Sequence, residues 1–392
     1  MTSDDPIRCD IAIAGGGLAG GLIALALRQK RPDLDVRVIE AAPTFGGNHL
    51  WSFFGSDIAS DNWWLIEPLI CHSWDGYDID FPDLKRSFDI SYNSIESERL
   101  DSVVRKALGP DRMIVGRVAD IQPDQLTLKD GRIICASRII DCRGPGDLKT
   151  LEVGWQKFVG QALTIKGGHG LTRPIVMDAS VEQIDGYRFV YCLPFDAETV
   201  FVEDTYYSDS PELDVEAVRG RIADYAAAKG WAIAATNARE ETGVLPVVIG
   251  GDFDAYWAST GTGVAKAGLR SGMFHATTGY SLPDAVRLAV QMPELVNLPQ
   301  AELATSVERL ARGHWRSRWF YRILDTMLFH GAEPTKRYRV LQHFYRLSPE
   351  LIGRFYAGQT NWADKLHILS GKPPIPVLRA IRVLLGQKPL QR

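Results

Sequence analysis

Three glycines and one acid near the start of the chain have the spacing of a nucleotide-binding turn. Gly15, Gly17 and Gly20 form the pattern G-x-G-x-x-G, and Glu40 follows the last of them by twenty residues. In this pattern the first glycine permits a tight turn, the second lets a pyrophosphate approach a helix N-terminus, and the third allows close helix–strand packing. An acid at the position of Glu40 binds the ribose hydroxyls. The spacing therefore predicts a dinucleotide site.

The elements needed to position this turn are also indicated. Residues 7–14 are mostly apolar, as in a strand buried in a parallel sheet, and residues 22–28 continue as a helix. Residues 36–40 form a second strand that ends in the acid. A tight turn without a ligand is the alternative, but this context favours the nucleotide. A glycine doublet at 46–47, frequent at this place in FAD-binding oxidoreductases, favours FAD over a free nicotinamide nucleotide. The predicted site also includes Leu18, Ala19, Gly46 and Gly47.

Two later segments resemble other parts of hydroxylase-type flavoproteins. Glu98–Asp101 begins a helical pattern similar to their arginine-bearing helix, and Arg99 is predicted to contact the FAD phosphates, unless it is a surface arginine. A glycine-rich segment at 268–279 is predicted to approach the ribityl chain and the isoalloxazine. Many flavoproteins have Gly-Asp where this segment has Leu269–Arg270, so Arg270 either favours an anionic, reduced flavin or forms an ordinary salt bridge. The predicted contacts in this segment are Arg270, Thr278 and Gly279.

Short apolar runs between these segments predict further strands. Runs at 113–118, 125–128 and 133–134 predict a small three-stranded excursion. Val118, which ends the first run, is assigned to the cofactor site. Residues 139–144 resemble the strand with which FAD domains return under the nucleotide.

Two adjacent acids lie on a predicted strand in the middle of the chain. Within residues 199–207 the alternation puts Phe201 and Glu203 on one face and Asp204 on the other, so both acids cannot point into one site. A carboxyl group in an apolar, water-poor pocket has a raised pKa and can donate a proton. The alternative is a salt bridge from Glu203 to Arg188 across a hairpin, with Asp204 orienting a neighbour.

Six short blocks of the chain carry a family resemblance. They are GNHLWSF at 47–53, GYRFVY at 186–191, FVEDT at 201–205, FHATTGYSLP at 274–283, RFYAG at 354–358 and ILSGKPP at 368–374. Together they resemble the bacterial lycopene β-cyclases over nearly the whole chain. Leu50 and Ala276 depart from the pattern, since relatives often have Thr and Pro there. Neither departure removes a group capable of acid–base chemistry.

The resemblance implies an isomerase that converts the two linear ψ-ends of lycopene into β-rings, through γ-carotene, to give β-carotene of unchanged mass. It also implies FAD in its reduced form although the reaction has no net redox, with NADPH or another cellular reductant resetting the flavin. Residues 261–263 lack the third glycine of a second fingerprint, so no bound nicotinamide site is predicted.

The resemblance also assigns roles to the two acids. Glu203 matches the first acid of the family motif Phe-x-Glu-(Glu/Asp)-Thr and receives the acid–base role, with Asp204 as the second catalytic candidate. Electron-rich rings could stabilise a cation, although core packing is the commoner role of such rings. The aromatic candidates are Trp51, Tyr187 and Tyr191.

Two other functions fit parts of the same pattern. One is an FAD-dependent monooxygenase or reductase that acts on a carotenoid or prenyl lipid, and the mass of its product would differ from that of lycopene. The other is a non-catalytic carotenoid-binding flavoprotein, for which Glu203 would be dispensable.

Composition excludes several other classes. With 45% hydrophobic and 23% charged residues the chain is an ordinary folded protein. Five cysteines without a C-x-x-C pair and eight scattered histidines predict neither disulfides nor a metal site. An acidic N-terminus and the lack of a long apolar run predict a cytoplasmic protein without a membrane span.

Charge is concentrated at the C-terminus, where residues 301–392 carry sixteen basic and six acidic side chains. Basic amphipathic patterns in this region predict peripheral association with the inner face of the cell membrane, or else helices that close the core. No motif predicts nucleic-acid binding, and contact with other carotenoid enzymes is a further expectation.

The expected fold is α/β, with a Rossmann-like FAD-binding domain of the hydroxylase/reductase flavoprotein type, an inserted α+β substrate domain and a helical C-terminal region. The expected bounds are 1–150 and 251–300 for the FAD domain, 151–250 for the substrate domain and 301–392 for the helical region.

Overall fold

The structure is a computed structural model, and it describes residues 5–370. Its strands form two large sheets and one small sheet. In chain order the strands are β1 (Ile7–Ala14), β2 (Val36–Glu40), β3 (Leu50–Phe54), β4 (Ile70–Trp74), β5 (Tyr77–Phe81), β6 (Leu84–Phe88), β7 (Tyr92–Glu96), β8 (Met113–Val115), β9 (Val118–Ile121), β10 (Gln125–Leu128), β11 (Ile133–Asp141), β12 (Leu151–Ile165), β13 (Ile175–Asp178), β14 (Tyr187–Pro194), β15 (Thr199–Ser208), β16 (Ile233–Gly251) and β17 (Ala265–Lys266).

Helices follow β1 and make up most of the described chain after residue 281. A π-helical turn at Met327–Gly331 follows the ninth helix. The α-helices are α1 (Leu18–Lys30), α2 (Trp63–Ile66), α3 (Ser97–Leu108), α4 (Val215–Ala228), α5 (Phe253–Ala258), α6 (Leu282–Ala289), α7 (Met292–Leu295), α8 (Gln300–Ser317), α9 (Trp319–Thr326), α10 (Tyr338–Phe344), α11 (Pro349–Tyr356) and α12 (Trp362–Leu369).

The first sheet holds the predicted nucleotide turn. Its parallel strands run in the order β8-β2-β1-β11, and β17 pairs with the end of β11. The strand, helix and second strand expected around the glycine motif are confirmed as β1, α1 and β2. Helix α1 packs closely on the turn, since a Cβ at Gly20 would lie 2.0 Å from the carbonyl oxygen of Gly15.

The second sheet, in the order β16-β12-β15-β14-β13-β5-β6, has two different faces. Helix α4 packs on one face, where Val200, Val202 and Tyr206 of β15 join Val218 and Ile222 in an apolar cluster. The opposite face of β15 carries the other set of alternating side chains, including Phe201 and Glu203, which line a cavity shared with the glycine turn. This alternation decides where neighbouring residues of β15 can act.

Two expectations about these sheets need correction. The run at 113–118 does not form one strand of the excursion, because Met113–Val115 pairs in parallel with β2 and the excursion consists of β9, β10 and the start of β11. A domain boundary at residue 150 would divide the second sheet, since β5 and β6 belong to it. Pairing between distant strands is not encoded in the pattern of any single run.

The helical C-terminal region is present, and a break at Arg318 separates α8 from α9. Many of its basic residues are satisfied internally: Arg337 is fully buried, Arg318 pairs with Asp284, and Arg322 lies over the ring of Trp315. These helices therefore close the core. The part of the basic region after residue 370 lies outside the described residues. Among residues 5–370, no helix combines the length and the apolar character needed to span a bilayer.

Candidate functional site

A cavity of about 760 Å³ connects the glycine turn of the first sheet to one face of the second sheet. Its nucleotide end is lined by the turn between β1 and α1 and by the ends of β2 and β11, and its other end by β12, β14, β15 and β16. A ligand bound at the turn would therefore extend toward the predicted acid.

The glycine turn has room for a ligand. Gly15 adopts φ of +104°, which favours glycine, and a Cβ added at Gly17 would meet no atom within 4 Å. The Glu40 carboxylate lies beside this space and accepts hydrogen bonds from the backbone N–H groups of Gly16 (2.7 Å) and Ala42 (3.1 Å). The acid is thus oriented at the end of β2, where a ribose would bind.

Basic side chains also line the nucleotide end. Arg117 and Lys129 reach it from the β9–β10 excursion, and Arg143 follows β11 and pairs with Asp141 at 2.9 Å. They complement an anionic pyrophosphate. Arg143 lies in the 139–144 segment recognised from the sequence, whereas no glycine motif or strand pattern marked Arg117 and Lys129.

Most residues assigned to the cofactor from the sequence line this cavity. Gly20 acts instead through helix packing, and Arg99, Arg270 and Thr278 lie outside the lining. The assigned residues that line it are Gly15, Gly17, Leu18, Ala19, Glu40, Gly46, Gly47, Val118 and Gly279.

Arg99 lies beside a separate shallow depression with His72 and Glu96. Helix α3 approaches the nucleotide loop through other side chains, since Asp101 accepts from the backbone N–H of Phe45 at 2.7 Å and pairs with Arg105. The helix expected from the sequence therefore supports the loop, and the structure does not bring Arg99 to the phosphate region.

Arg270 forms the ordinary salt bridge that was the alternative to its flavin role. Its Nε lies 3.4 Å from Oδ2 of Asp141, and its Nη1 donates to the carbonyl of Pro145. Burial lowers the pKa of this guanidinium. Thr278 is buried, and its hydroxyl accepts from the N–H of Tyr280 rather than facing the cavity.

Glu203 faces the cavity within a row of residues in register across four strands. Its neighbours are Tyr191 on β14 and Gly160 on β12, and Gly160 is in turn opposite Glu241 on β16. Tyr191, Glu203 and Glu241 all line the cavity. With strands about 4.8 Å apart, the two glutamates flank Gly160 on the same face of the sheet.

The surroundings of Glu203 favour its protonated form. Burial and the nearby carboxylate of Glu241 raise the pKa of Glu203 to about 8, although the Thr205 hydroxyl, donating to it at 2.7 Å, opposes the shift. A carboxyl group with this pKa retains its proton at neutral pH and can donate it.

Asp204 lies on the other face of β15, toward α4, and does not line the cavity. Its carboxylate accepts hydrogen bonds from Nη2 of Arg188 at 2.7 Å and from Nε at 3.0 Å, and both side chains are buried. The alternative pairing of Arg188 with Glu203 is therefore wrong. The predicted catalytic role of Asp204 has no geometric support, because the strand alternation directs it away from Glu203.

Two of the three aromatic candidates line the cavity. Trp51 and Tyr191 lie there, and the Tyr191 hydroxyl is 2.8 Å from that of Tyr280. Tyr187 is buried in the core and stacks on Phe189 with ring centroids 4.9 Å apart. Core packing is therefore the role of Tyr187.

Two further functional candidates, at the other end of the cavity, were missed from the sequence. Glu241 is buried and bonds to Nδ1 of His49 at 2.9 Å, and both side chains line the cavity. His49 lies within a recognised block, but nothing in the local pattern of β16 indicates that Glu241 would meet it.

Two of the family-like blocks also contact each other. Burial lowers the pKa of His275 to about 3, and its Nε2 lies 2.9 Å from the carbonyl oxygen of Phe355. The neutral imidazole donates this bond and connects the 274–283 block to α11.

The fold occurs in solved structures of known class. A flavin-dependent halogenase from Xanthomonas campestris superposes with a TM-score of 0.55 at 13% identity, covering 97% of this chain and 96% of that one. A geranylgeranyl bacteriochlorophyll reductase-like protein from Thermoplasma acidophilum gives 0.53 at 14% identity, covering 98% and 97%. This chain therefore has the fold found in these two proteins.

Within that fold class the sequence identifies the family. The family model described as "Lycopene cyclase protein" matches residues 10–382. A protein named lycopene beta-cyclase from Pseudescherichia vulneris is 43% identical over 383 residues, which cover 98% of this chain and 99% of that protein. This chain belongs to the lycopene cyclase family.

Proposed function

We propose that the protein is a lycopene β-cyclase that closes both ψ-ends of lycopene by acid–base catalysis, through γ-carotene, to give β-carotene. The observation that carries this proposal is the orientation of Glu203, whose protonated carboxyl faces a partly apolar cavity shared with the nucleotide turn. An alkene is a poor base, so its protonation requires an acid held protonated away from water. Glu203 donates to C2 of the ψ-end, the C5=C6 pair closes the C1–C6 bond, and loss of the C6 proton completes the β-ring.

FAD fits the nucleotide end, where Gly17 leaves backbone space, Glu40 is positioned for a ribose, and Arg143 complements phosphate. When bound in its reduced form, the flavin supplies negative charge that stabilises the cationic ring. Its reduction by NADPH or another cellular reductant belongs to the proposal as a step outside this chain. Trp51, Tyr191 and Tyr280 line the same space, where electron-rich rings could stabilise a cation.

The direct test is chromatography with mass spectrometry of pigments from lycopene-accumulating cells that express the protein. We expect a product of unchanged mass with the retention and spectrum of β-carotene. A gain of oxygen or hydrogen would instead indicate a monooxygenase or reductase on this fold. Unchanged lycopene, with the protein folded and its flavin reduced, would contradict the proposal.

Gly17→Val tests the nucleotide site. Gly17 has φ of −69° and open space around its Cβ position, so valine should fit the backbone while filling the volume at the start of α1. We expect a normally folded protein with at least about tenfold weaker FAD binding, since the pyrophosphate loses its approach to the helix N-terminus. Flavin released from purified protein, measured beside the melting temperature, checks this result.

The matched control for Gly17→Val is Gly20→Val. The new side chain would collide with the Gly15 carbonyl, so this variant should lose stability as well as flavin. Wild-type flavin content in Gly17→Val would contradict the assigned nucleotide site.

We also propose that the protein associates peripherally with the inner face of the cell membrane, from which its water-insoluble substrate is drawn. Support comes from α12, where Trp362, Leu366 and Leu369 are 69%, 69% and 55% exposed along one stripe. The ammonium group of Lys365 lies 5.1 Å from the ring centroid of the neighbouring, exposed Trp319. Exposed apolar rings beside a basic group are typical of an interfacial surface.

Replacing Trp362 and Leu366 together by serine should weaken binding to vesicles of mixed phosphatidylglycerol and phosphatidylcholine at least about tenfold, because two anchoring side chains are lost. Co-sedimentation measures the effect. Val115→Ser, at an exposed site in the first sheet, is the control and should bind as the wild type does. Undiminished vesicle binding by the double variant would contradict the assigned surface.

A further inference from the structure

The cavity holds a second carboxylate whose two oxygens are both engaged. Oε1 of Glu241 lies 2.9 Å from Nδ1 of His49, and Oε2 accepts from the backbone N–H of Leu50 at 2.9 Å. Glu241 is buried, whereas the His49 side chain is 45% exposed and lines the cavity. The carboxylate is therefore positioned to orient the imidazole rather than to react itself.

This arrangement determines which nitrogen of His49 can act. An ionised Glu241 accepts a hydrogen bond, so Nδ1 carries the proton and Nε2 keeps its lone pair. Within residues 5–370, no protein group forms a hydrogen bond with this Nε2. The imidazole therefore lines the cavity with Nδ1 held by Glu241 and with Nε2 free of protein hydrogen bonds within this range.

The position of His49 relative to Glu203 suits a division of roles. Glu203 and Glu241 lie on the two strands that pair with the strand of Gly160, each directly opposite this glycine. The proposed donor Glu203 and the His49–Glu241 pair are therefore separated by one strand. One group must be protonated and the other unprotonated at the same pH. The separate positions of Glu203 and the His49–Glu241 pair allow one group to donate a proton and the other to accept one.

We propose that His49 is the base that removes the final ring proton and that Glu241 is its positioning residue; this inference rests on the proposed cyclase function. Glu203 transfers its proton to C2, and the C5=C6 electron pair forms the C1–C6 bond, which leaves the cation at C5. Nε2 of His49 then takes the proton from C6, and the C6–H electron pair becomes the C5=C6 double bond. One proton is gained and one is lost, and no oxidant or reductant is consumed.

His49→Gln tests this assignment, since glutamine retains hydrogen bonding but cannot take a proton. We expect a folded protein with wild-type flavin content whose cyclisation is at least about a hundredfold slower. The cation should then lose a proton from C4 or from the C5 methyl group, so the remaining product should contain isobaric ε- or γ-rings. Chromatography with mass spectrometry and NMR of the ring protons identifies these isomers, which a purely structural defect would not produce.

Three comparisons complete the test. Glu241→Gln should give a smaller rate loss and the same shift in ring type, and imidazole added to His49→Gly should restore β-ring formation. His330→Gln removes another histidine paired with a glutamate, Glu152 at 3.0 Å, outside the cavity, and should behave as the wild type does.

The inference would be overturned if His49→Gln formed β-rings at the wild-type rate. It would equally be overturned if His49→Gln lost FAD in proportion to activity and made only β-rings. The His49–Glu241 pair would then serve to hold the flavin. A wild-type protein that leaves lycopene unchanged in the same assay would instead refute the proposed function, and this inference with it.

Discussion

Glu203→Gln is expected to keep the fold and the bound FAD and to lower cyclisation at least about a thousandfold, because the variant has no proton to give. Glutamine has nearly the same size and can still accept from the Thr205 hydroxyl 2.7 Å away in the wild type. Pigment analysis by chromatography with mass spectrometry, together with flavin content and melting temperature, measures the result. Turnover at the wild-type rate would remove Glu203 from the mechanism and favour a binding protein.

The pH profile provides a second measurement on the same residue. Burial and Glu241 raise the pKa of Glu203 to about 8, and the proposed mechanism requires its protonated form. The rate should therefore fall as the pH rises through about 8, because Glu203 then loses the proton that it donates. A rate that is constant from pH 6 to 9 would contradict the donor role, since ionised Glu203 cannot protonate an alkene.

Asp204→Asn is expected to have the opposite effect, with reduced stability and retained chemistry. The substitution leaves the buried guanidinium of Arg188 without its anion, and such losses cost about 3–5 kcal/mol. Urea unfolding should show a lower midpoint with an unchanged slope. The fraction that remains folded should still convert lycopene to β-carotene.

The double variant Arg188→Met with Asp204→Leu is the matched control. Replacing both charges by apolar groups of similar size removes the unpaired cation and should recover most of the lost stability. An Asp204→Asn protein of normal stability that fails to cyclise lycopene would contradict this account and return Asp204 to the catalytic site.

Glu203 and Asp204 are neighbours with different predicted roles, and only part of this difference can be read from the sequence. The period of a strand already predicts that Glu203 and Asp204 face opposite ways, and the structure agrees. The strand period does not predict which other segments pack against each face of β15. Asp204 packs toward helix α4 and pairs with Arg188, whereas Glu203 faces the cavity. Both environments are formed by segments that are distant in the chain.

The residues assigned to the cofactor also differ in how well local sequence predicted their positions. Gly15, Gly17 and Glu40 could be assigned from spacing, because a strand, a turn and a helix position them within one contiguous segment. Arg99 and Arg270 were assigned by analogy, and the structure places both outside the cavity lining. The direction of a long side chain depends on the available partners, and Asp141, which pairs with Arg270, could not be identified from local sequence.

The sequence by itself determined the β1–α1–β2 unit, the family blocks and the alternation along β15, since these depend on periodicities and steric rules within short segments. Only the tertiary structure decided that β5 and β6 join the second sheet and that Glu241 shares a row with Glu203 across Gly160. Strand register is set by contacts that many segments satisfy together. Consequently, the proposed proton donor could be assigned from one strand and its family motif, whereas the proposed His49–Glu241 base required the whole sheet.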